Sequence, residues 1–234
     1  MSAHKLVPAL YRHPTKVLFS DIMDVEADLI SRFQQKSVPY VGLTKLAAWE
    51  YLFLMQHFGV PTRLLDWTEN PFIALYFALS GAKKHLTGGQ WIFDSDASIW
   101  ILNPVGWNRW VLQHTSYVGG ILTTDDDSAK GYEPGGKLDY INNYPVAIFG
   151  THNSARIVAQ KGVFTIFGKA MSPMEHLYKT STYPPDALVK VVIKKANLPS
   201  FYSVLFSLGM TDSVAFPDLD GLAKELKRSA GYEV

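Results

Sequence analysis

The chain has 234 residues, of which 47% are hydrophobic, 18% charged and 13% aromatic. A chain of this length and apolar content buries a substantial core, which excludes a mostly disordered protein. Its 22 basic and 21 acidic residues leave a net charge of +1. The overall charge therefore gives no indication of binding to bulk nucleic acid or to an anionic membrane.

Two absences from the sequence exclude further classes of protein. Without cysteine, the chain has no disulfides, thiolate zinc sites, iron–sulfur clusters or cysteine nucleophiles. The first residues hold no apolar segment typical of a signal peptide, and the longest apolar runs, such as residues 72–79, are too short to span a membrane. We therefore expect a cytoplasmic protein with no membrane partner.

Apolar residues recur at helical spacing in several segments. The first predicted helix begins near Asp21 and gives way to a loop over residues 37–42. Another helix, ending near residue 80, has Asn70 as its N-cap and Pro71 as its first residue. The patterns predict the remaining helices over residues 44–58, 104–113, 199–208 and 217–228.

Four short runs rich in β-branched and aromatic residues predict strands. They cover residues 98–102, 146–149, 163–167 and 188–193. No repeat and no linker divides the sequence. We therefore predict a single α+β domain over residues 1–234, with a mixed or antiparallel sheet packed against about five helices.

Two segments are predicted to be irregular. Residues 59–69 are predicted to form a loop around a short turn. Residues 114–136 contain five glycines and the acidic run 125–127 without any periodicity, a combination typical of a functional or a disordered loop. The acidic run either binds Mg²⁺ or simply faces solvent.

The most unusual segment is residues 56–71, QHFGVPTRLLDWTENP, which places polar side chains between two strongly apolar helices. Burying a polar group is costly unless it finds a hydrogen-bond partner. We therefore expect these side chains to satisfy one another in a network. Its members are Gln56, His57, Thr62, Arg63, Asp66 and Thr68.

This segment resembles the signature of the FRG domain family of bacterial and phage proteins, in which a similar run precedes an alanine-rich aromatic helix. Residues 156–164, RIVAQKGVF, and residues 216–222, FPDLDGL, resemble two later motifs of the family, and residues 6–12, LVPALYR, resemble the stretch after its opening. The resemblance spans nearly the whole chain. The aromatic-Arg-Gly motif that names the family does not precede His4, which implies a truncated start, a misassigned start or a lost motif.

The order of the FRG motifs is similar, at the level of fold, to that of ADP-ribosyltransferase-like proteins. This resemblance implies an NAD-linked site in a prokaryotic toxin or phage-conflict effector. NAD is then the candidate cofactor, and an ADP-ribosyltransferase or NAD glycohydrolase is the candidate enzyme. Gln160 stands where that comparison expects an acidic catalytic residue. Because a neutral amide cannot stabilise an oxocarbenium ion by charge, we expect NAD turnover near background.

The resemblance and the residue types together define the candidate site. The candidate catalytic residues are Gln160, His57 and Asp66. The candidate ligand-binding residues are Gln56, Thr62, Arg63, Trp67, Thr68 and Arg156, and no metal ligand is predicted.

The residues of the central segment also have structural interpretations. Arg63, oriented by Asp66, binds phosphate, or the two form an ion pair that rigidifies the turn. His57 is a general base or substrate donor, or it caps the C-terminus of its helix. Trp67 stacks against a base, or it is simply buried.

The same two interpretations apply to the remaining candidates. Thr62 and Thr68 touch ligand, or Thr68 caps the helix that follows it. Arg156 and Gln160 both line a pocket, or they form hydrogen bonds to the backbone.

Missing motifs narrow the function. The sequence has no Walker A run, G-x-G-x-x-G, G-x-S-x-G or H-E-x-x-H, which disfavours common NTPases, kinases, dehydrogenases, serine hydrolases and zincins. We predict a polar cleft, formed by residues 56–71 and 152–160 with 114–136 as a further candidate, that binds a nucleotide or NAD-like ligand. The other hypothesis is a non-catalytic module that binds nucleic acid or a protein.

Overall fold

The computed structural model describes residues 4–42, 46–151 and 155–232. The chain mixes helices with short strands, which confirms the predicted α+β class. The described residues form nine α-helices rather than about five. They are α1 (Phe19–Val41), α2 (Ala48–His57), α3 (Pro71–Ser80), α4 (Pro104–Val111), α5 (Ala155–Ala159), α6 (Met174–Thr180), α7 (Leu198–Ser207), α8 (Asp212–Ala215) and α9 (Leu219–Ser229).

Within the described ranges, seven strands form three small sheets instead of the single sheet predicted. They are β1 (Leu64–Thr68), β2 (Lys84–Thr87), β3 (Gln90–Phe93), β4 (Ala97–Leu102), β5 (Val146–Ile148), β6 (Gly162–Ile166) and β7 (Leu188–Ile193). The sheets have the orders β1-β6-β5, β2-β3 and β4-β7. All four predicted strands are present, within one or two residues of their expected ends.

Contacts between residues divide the chain into two compact units. The first unit comprises residues 1–66, 103–151 and 163–187, and the second comprises residues 67–102, 152–162 and 188–234. Each unit is therefore assembled from segments that are distant in sequence. A single domain over the whole length stays a prediction, and the two units are described separately below.

In the first unit, the antiparallel strands β5 and β6 form the centre of the core. Val146 pairs with Ile166 and Ile148 pairs with Phe164, and every residue of β5 is buried. The Phe164 ring packs on Phe53 of α2 with the ring centres 5.2 Å apart. Because every residue of β5 is buried, its three residues are all apolar rather than alternating with polar ones.

Helix α1 continues to Val41, so the predicted loop over residues 37–42 is wrong. Proline in a helix removes one backbone hydrogen bond, which is why Pro39 indicated an earlier end. Here it lies in the last turn, where that loss is small, and Ser37 just before it is buried. The helix ends where Gly42 takes a φ of 79° and its N–H reaches Val38 O. Residue 44, the predicted start of the next helix, lies outside the described residues, but α2 begins later than predicted, at Ala48, because residues 46 and 47 are not helical.

Residues 64–68 form strand β1, which the prediction of a loop over residues 59–69 missed. Their burial does not alternate, so no period of two is visible in the sequence. Hydrogen bonding to β6, far away in sequence, makes the segment a strand.

Residues 114–136 have no α-helix or β-strand, as predicted, but they contribute to the core of the first unit. Leu122 is fully buried and bridges to Ile148 of β5, and Tyr132 is fully buried at the end of a 3₁₀-helix. Two of the acidic residues have local partners, because Asp126 accepts from the N–H and hydroxyl of Thr123 and Asp127 pairs with Lys130. No group of three or more metal-ligating side chains occurs among the described residues.

In the second unit, two antiparallel ribbons flank apolar helices. Strands β4 and β7 pair over six residues each, from Ala97 opposite Ile193 to Leu102 opposite Leu188. Strands β2 and β3 form a hairpin whose turn has Gly88 and Gly89, both at positive φ. Helix α3 begins as predicted, with Pro71 in its first turn and the Asn70 side chain accepting from Phe72 N at 3.0 Å. Its apolar residues pack on α7 within the core of the unit.

None of the helices in the described ranges is both long and apolar enough to cross a membrane.

Gly168→Ala is expected to destabilise the first unit. A Cβ at this buried position would lie 2.0 Å from the carbonyl oxygen of Asn142, so the backbone has to shift. Forcing an atom into a packed interior costs about 1–3 kcal/mol of unfolding free energy, which urea unfolding measures. In the control Gly120→Ala, the new Cβ would lie 3.9 Å from Val105 Cγ2, an ordinary van der Waals contact, and we expect a much smaller change. Equal effects of the two substitutions would contradict the close approach at Gly168.

Candidate functional site

Arg63 lies in the core of the first unit with no exposed surface. Its Nε donates to Glu26 of α1 at 2.8 Å, and its two terminal nitrogens donate to the carbonyl oxygens of Phe167 and Tyr132, each at 3.0 Å. Burial alone would lower the pKa of Arg63, but the charge of Glu26 holds this pKa above its ordinary value. The guanidinium therefore stays charged and joins three segments of the unit.

Two tyrosines complete the surroundings of this ion pair. The Tyr11 ring packs edge-on against Phe167, and its hydroxyl donates to Gly168 O at 2.6 Å. Burial raises the pKa of both Tyr11 and Tyr132, so both phenols remain protonated. The predicted pairing of Arg63 with Asp66 is wrong, because its partner is Glu26, which is 37 positions earlier in the chain.

Part of the predicted polar network is present. The Gln56 side chain links two residues of the motif, because it accepts from the Thr62 hydroxyl at 2.5 Å and donates to Asp66 at 2.7 Å. The Thr62 oxygen also accepts from Leu64 N, which ties the network to the start of β1. Asp66 lies at the surface, whereas Thr62 is fully buried. The amide of Gln56 thus connects the core to an exposed carboxylate.

His57 is the last residue of α2, partly exposed, with its ring edge-on to Phe58. This is the position that the helix-capping interpretation expects, since a histidine near a helix C-terminus interacts favourably with the helix dipole.

In the second unit, three motif segments meet at Thr68 and Gln160. The Thr68 hydroxyl donates to Gln160 O at 2.6 Å, and Glu69 N donates to Lys161 O at 3.1 Å. The Gln160 side chain donates in turn to Ala215 O at 2.9 Å. Thr68 does not cap α3, a role that Asn70 takes. The hydrogen bond of the Gln160 side chain to a backbone carbonyl fits the structural interpretation of Gln160, whereas the capping role predicted for Thr68 is wrong.

Arg156 lies on α5, and its guanidinium sits over the ring of Phe216 at 4.6 Å. The ammonium group of Lys224, on α9, lies 5.0 Å from the centre of the same ring. Within the described part of the second unit, the Arg156 guanidinium has no hydrogen bond and no ion pair. Arg156 and Phe216 are both partly exposed, and so is Trp67. Two cationic side chains therefore lie against one aromatic ring.

The second unit contains an ion pair of its own, between Arg228 and the buried carboxylate of Asp212. Arg228 donates to both oxygens of Asp212, at 2.8 and 3.0 Å, and Tyr76 donates to the same carboxylate at 2.7 Å. Burial raises the pKa of Asp212, but the hydrogen bonds from Arg228 and Tyr76 outweigh that effect and hold it below its ordinary value.

The comparison with known protein families supports the FRG resemblance of the central motif. Residues 1–86 match the family model of the FRG domain. The FRG resemblance is therefore confirmed over this part of the chain, which includes all of residues 56–71. Neither a curated protein nor a solved structure matches the chain. The FRG-like motifs at residues 156–164 and 216–222 lie beyond the matched range, so their membership of the FRG domain stays a prediction.

The candidate residues fall into both units. Gln56, His57, Thr62, Arg63 and Asp66 belong to the first unit, whereas Trp67, Thr68, Arg156 and Gln160 belong to the second. Residues 152–154 of the predicted cleft lie outside the described residues. The single cleft therefore stays a prediction.

Sequence reasoning missed four residues that organise these sites. Glu26 looked like any charged residue on a helix, and its burial at 3% exposure is visible only in the structure. Phe216 belongs to a motif that was recognised, but its two cationic neighbours could not be found from spacing. The other two residues missed are Lys224 and Asp212.

Glu26→Ala and Asp66→Ala form a matched pair of substitutions. Removing Glu26 leaves the buried Arg63 charge without its partner, which costs about 3–5 kcal/mol of unfolding free energy. Removing Asp66 takes away the hydrogen bond that Gln56 donates to this exposed carboxylate, which costs about 1 kcal/mol or less. Chemical denaturation of both variants measures these costs. A larger loss for Asp66→Ala than for Glu26→Ala would contradict the pairing described above.

Asp212→Asn is expected to change how stability depends on pH. Because the folded-state pKa of Asp212 is lowered, its charge stabilises the fold above the unfolded-state pKa of about 3.9, and this stability is lost as the pH falls through the folded value. The difference in unfolding free energy between the wild type and Asp212→Asn should be constant above about pH 5 and should shrink at lower pH. Urea unfolding at a series of pH values tests this, and a difference that does not shrink contradicts it.

Proposed function

We propose that this protein binds a phosphate-bearing ligand, a nucleotide or an NAD-like molecule, through Arg156. The observation that carries the proposal is the position of the Arg156 guanidinium over Phe216, with no hydrogen bond or ion pair to the described part of its unit. Stacking on a ring holds a guanidinium in place while its N–H groups remain able to donate. Those donors match the oxygens of a phosphate.

Lys224 supports the same assignment. Its ammonium group lies over the ring that Arg156 occupies, so a second positive charge is available to an anion bound there. Helix α5, which carries Arg156, is also fastened through Gln160 to Ala215, the residue that precedes Phe216. Fixing both partners in advance reduces the conformational entropy that binding would otherwise cost.

Arg63 takes no part in this proposal. Its three hydrogen bonds and its complete burial leave no route by which a ligand could reach it without opening the first unit. The phosphate-binding role predicted for Arg63 is therefore transferred to Arg156.

Binding without rapid chemistry fits the residues best. The Gln160 amide donates to a backbone carbonyl and carries no charge, so it supplies neither a base nor a counter-charge for a developing cation. The ADP-ribosyltransferase ancestry, and a role as a toxin or phage-conflict effector, remain part of the proposal through the fold-level resemblance alone. The competing function is a non-catalytic module for nucleic acid or a protein. It is favoured by the aromatic ring beside two cations, an arrangement that also suits a single-stranded nucleic acid.

Arg156→Ala tests the binding function. We expect it to raise the Kd for NAD, ADP-ribose or inorganic diphosphate by about tenfold or more, the loss of a charge-assisted hydrogen bond. The control is Arg32→Ala, which removes an exposed arginine whose ion-pair partner among the described residues is Asp28. Isothermal titration calorimetry with the wild type and both variants gives the comparison. No binding of these probes by the wild type, together with tight binding of a short oligonucleotide, would favour the nucleic-acid module.

The enzymatic alternative has its own measurement. Release of nicotinamide from NAD by the wild type, lost in Gln160→Ala and kept in Arg32→Ala, would overturn the non-catalytic interpretation. Under the proposal, turnover stays near background in the wild type. Gln160→Glu is then the substitution that tests for gain of activity, because it restores the missing charge.

A further inference from the structure

The second unit has an open groove of about 1070 Å³ between α7, α9 and the turn of the β2–β3 hairpin. It is separate from the cluster around Arg156, which does not line it. Its volume is slightly above the usual range for small-molecule sites, about 300–1,000 Å³, so it has room for an extended ligand. The lining combines aromatic rings with an unusual number of hydroxyl groups, and this composition indicates the class of ligand.

Aromatic rings form one wall of the groove. Trp91 of β3 packs on Tyr202 of α7 with the ring centres 6.2 Å apart, and Tyr202 packs on Phe206 at 4.7 Å. Trp91 and Phe206 are partly exposed, whereas Tyr202 is almost completely buried behind them. The planes of neighbouring rings are inclined by 56° and 42°, so the wall is apolar but not flat. The partly exposed Trp91 ring suits a ligand with a face of C–H groups.

The charges around the groove balance. Arg228 is neutralised by Asp212, and it stacks on the rings of Tyr202 and Phe206. The carboxylate of Glu225 lines the groove, and the ammonium group of Lys84 lies 5.6 Å from the Trp91 ring. The charged side chains that line the groove are one cation, Arg228, and one carboxylate, Glu225. The lining therefore favours neither a polyanion nor a polycation, and Glu225 repels phosphate.

The hydroxyl groups supply both acceptors and donors. Ser207 donates its proton to Ser203 O and Ser229 donates to Leu226 O, so the oxygens of these two side chains remain able to accept. Ser200 and Ser203 present further hydroxyls along the same face of α7. A ligand that both donates and accepts at many points matches such a surface, and sugar hydroxyls do both.

We propose that this groove binds a neutral oligosaccharide, with its sugar rings on the Trp91 wall and its hydroxyls against the serines of α7 and α9. The charge balance disfavours nucleotides and basic peptides, and the density of hydroxyls disfavours a purely apolar ligand. The proposal is independent of the phosphate-binding function, because it uses neither Arg156 nor Phe216.

The test uses the full chain and four neutral probes that cover α and β linkages: maltohexaose, cellohexaose, chitohexaose and xylohexaose. Saturation-transfer NMR and quenching of tryptophan fluorescence report binding. We expect at least one probe to bind at concentrations up to about 10 mM, and both Trp91→Ala and Ser203→Leu to raise its Kd by about tenfold or more. Ser31→Leu is the matched control, because it changes an exposed serine on α1 that does not line the groove.

Two kinds of result would overturn the proposal. One is the failure of all four probes to bind the wild type. The other is binding that Trp91→Ala and Ser203→Leu leave unchanged, which would place the sugar elsewhere. Arg156→Ala should leave oligosaccharide binding intact. A loss there, with no loss of phosphate-ligand binding in Ser203→Leu, would mean that the sugar uses the Arg156 cluster instead.

Discussion

The buried pair between Arg63 and Glu26 is the interaction on which the first unit depends. A guanidinium without exposed surface is stable only if its charge is compensated and its donors are used. Glu26 supplies the charge from α1, and two backbone carbonyls take the remaining contacts. These partners come from α1, from the end of the segment 114–136 and from the residue after β6. The unit can therefore close around Arg63 only when all three segments are in place.

The burial of Arg63 shows that part of the central motif, residues 56–71, serves folding rather than ligand binding. Within residues 56–71, the side chains with the strongest hydrogen-bonding demands are divided between the interior and the surface. Arg63 and Thr62 are buried, whereas Asp66 is exposed and is linked to Thr62 through the Gln56 side chain. A long and specific motif can thus arise from folding constraints as much as from ligand binding. The motif alone does not identify the ligand-binding residues.

The second unit is organised differently, because side-chain hydrogen bonds to backbone carbonyls hold its short helix α5 in place. Helix α5 has only five residues, and a helix so short has little stability of its own. Two hydrogen bonds at Gln160, the residue after the helix, hold its C-terminal end: the Thr68 hydroxyl donates to Gln160 O, and the Gln160 side chain donates to Ala215 O. Arg156 lies on this helix and its guanidinium stacks on the Phe216 ring. The ring holds the guanidinium in position, and its N–H groups remain able to donate hydrogen bonds. That combination distinguishes it from Arg63 as a candidate for ligand binding.

Local patterns determined much of this protein from the sequence alone. The α+β class, the cap at Asn70 and strand β7 follow from propensities and capping rules that act within a few residues. The FRG motif was also recognisable, because its residues are contiguous. The tertiary structure alone decided which charges pair, since Glu26 and Arg63 are far apart in the chain and spacing carries no information about such contacts. It also decided that residues 64–68 form a strand, because that strand exists through its hydrogen bonds to β6, which only the folded chain brings beside it.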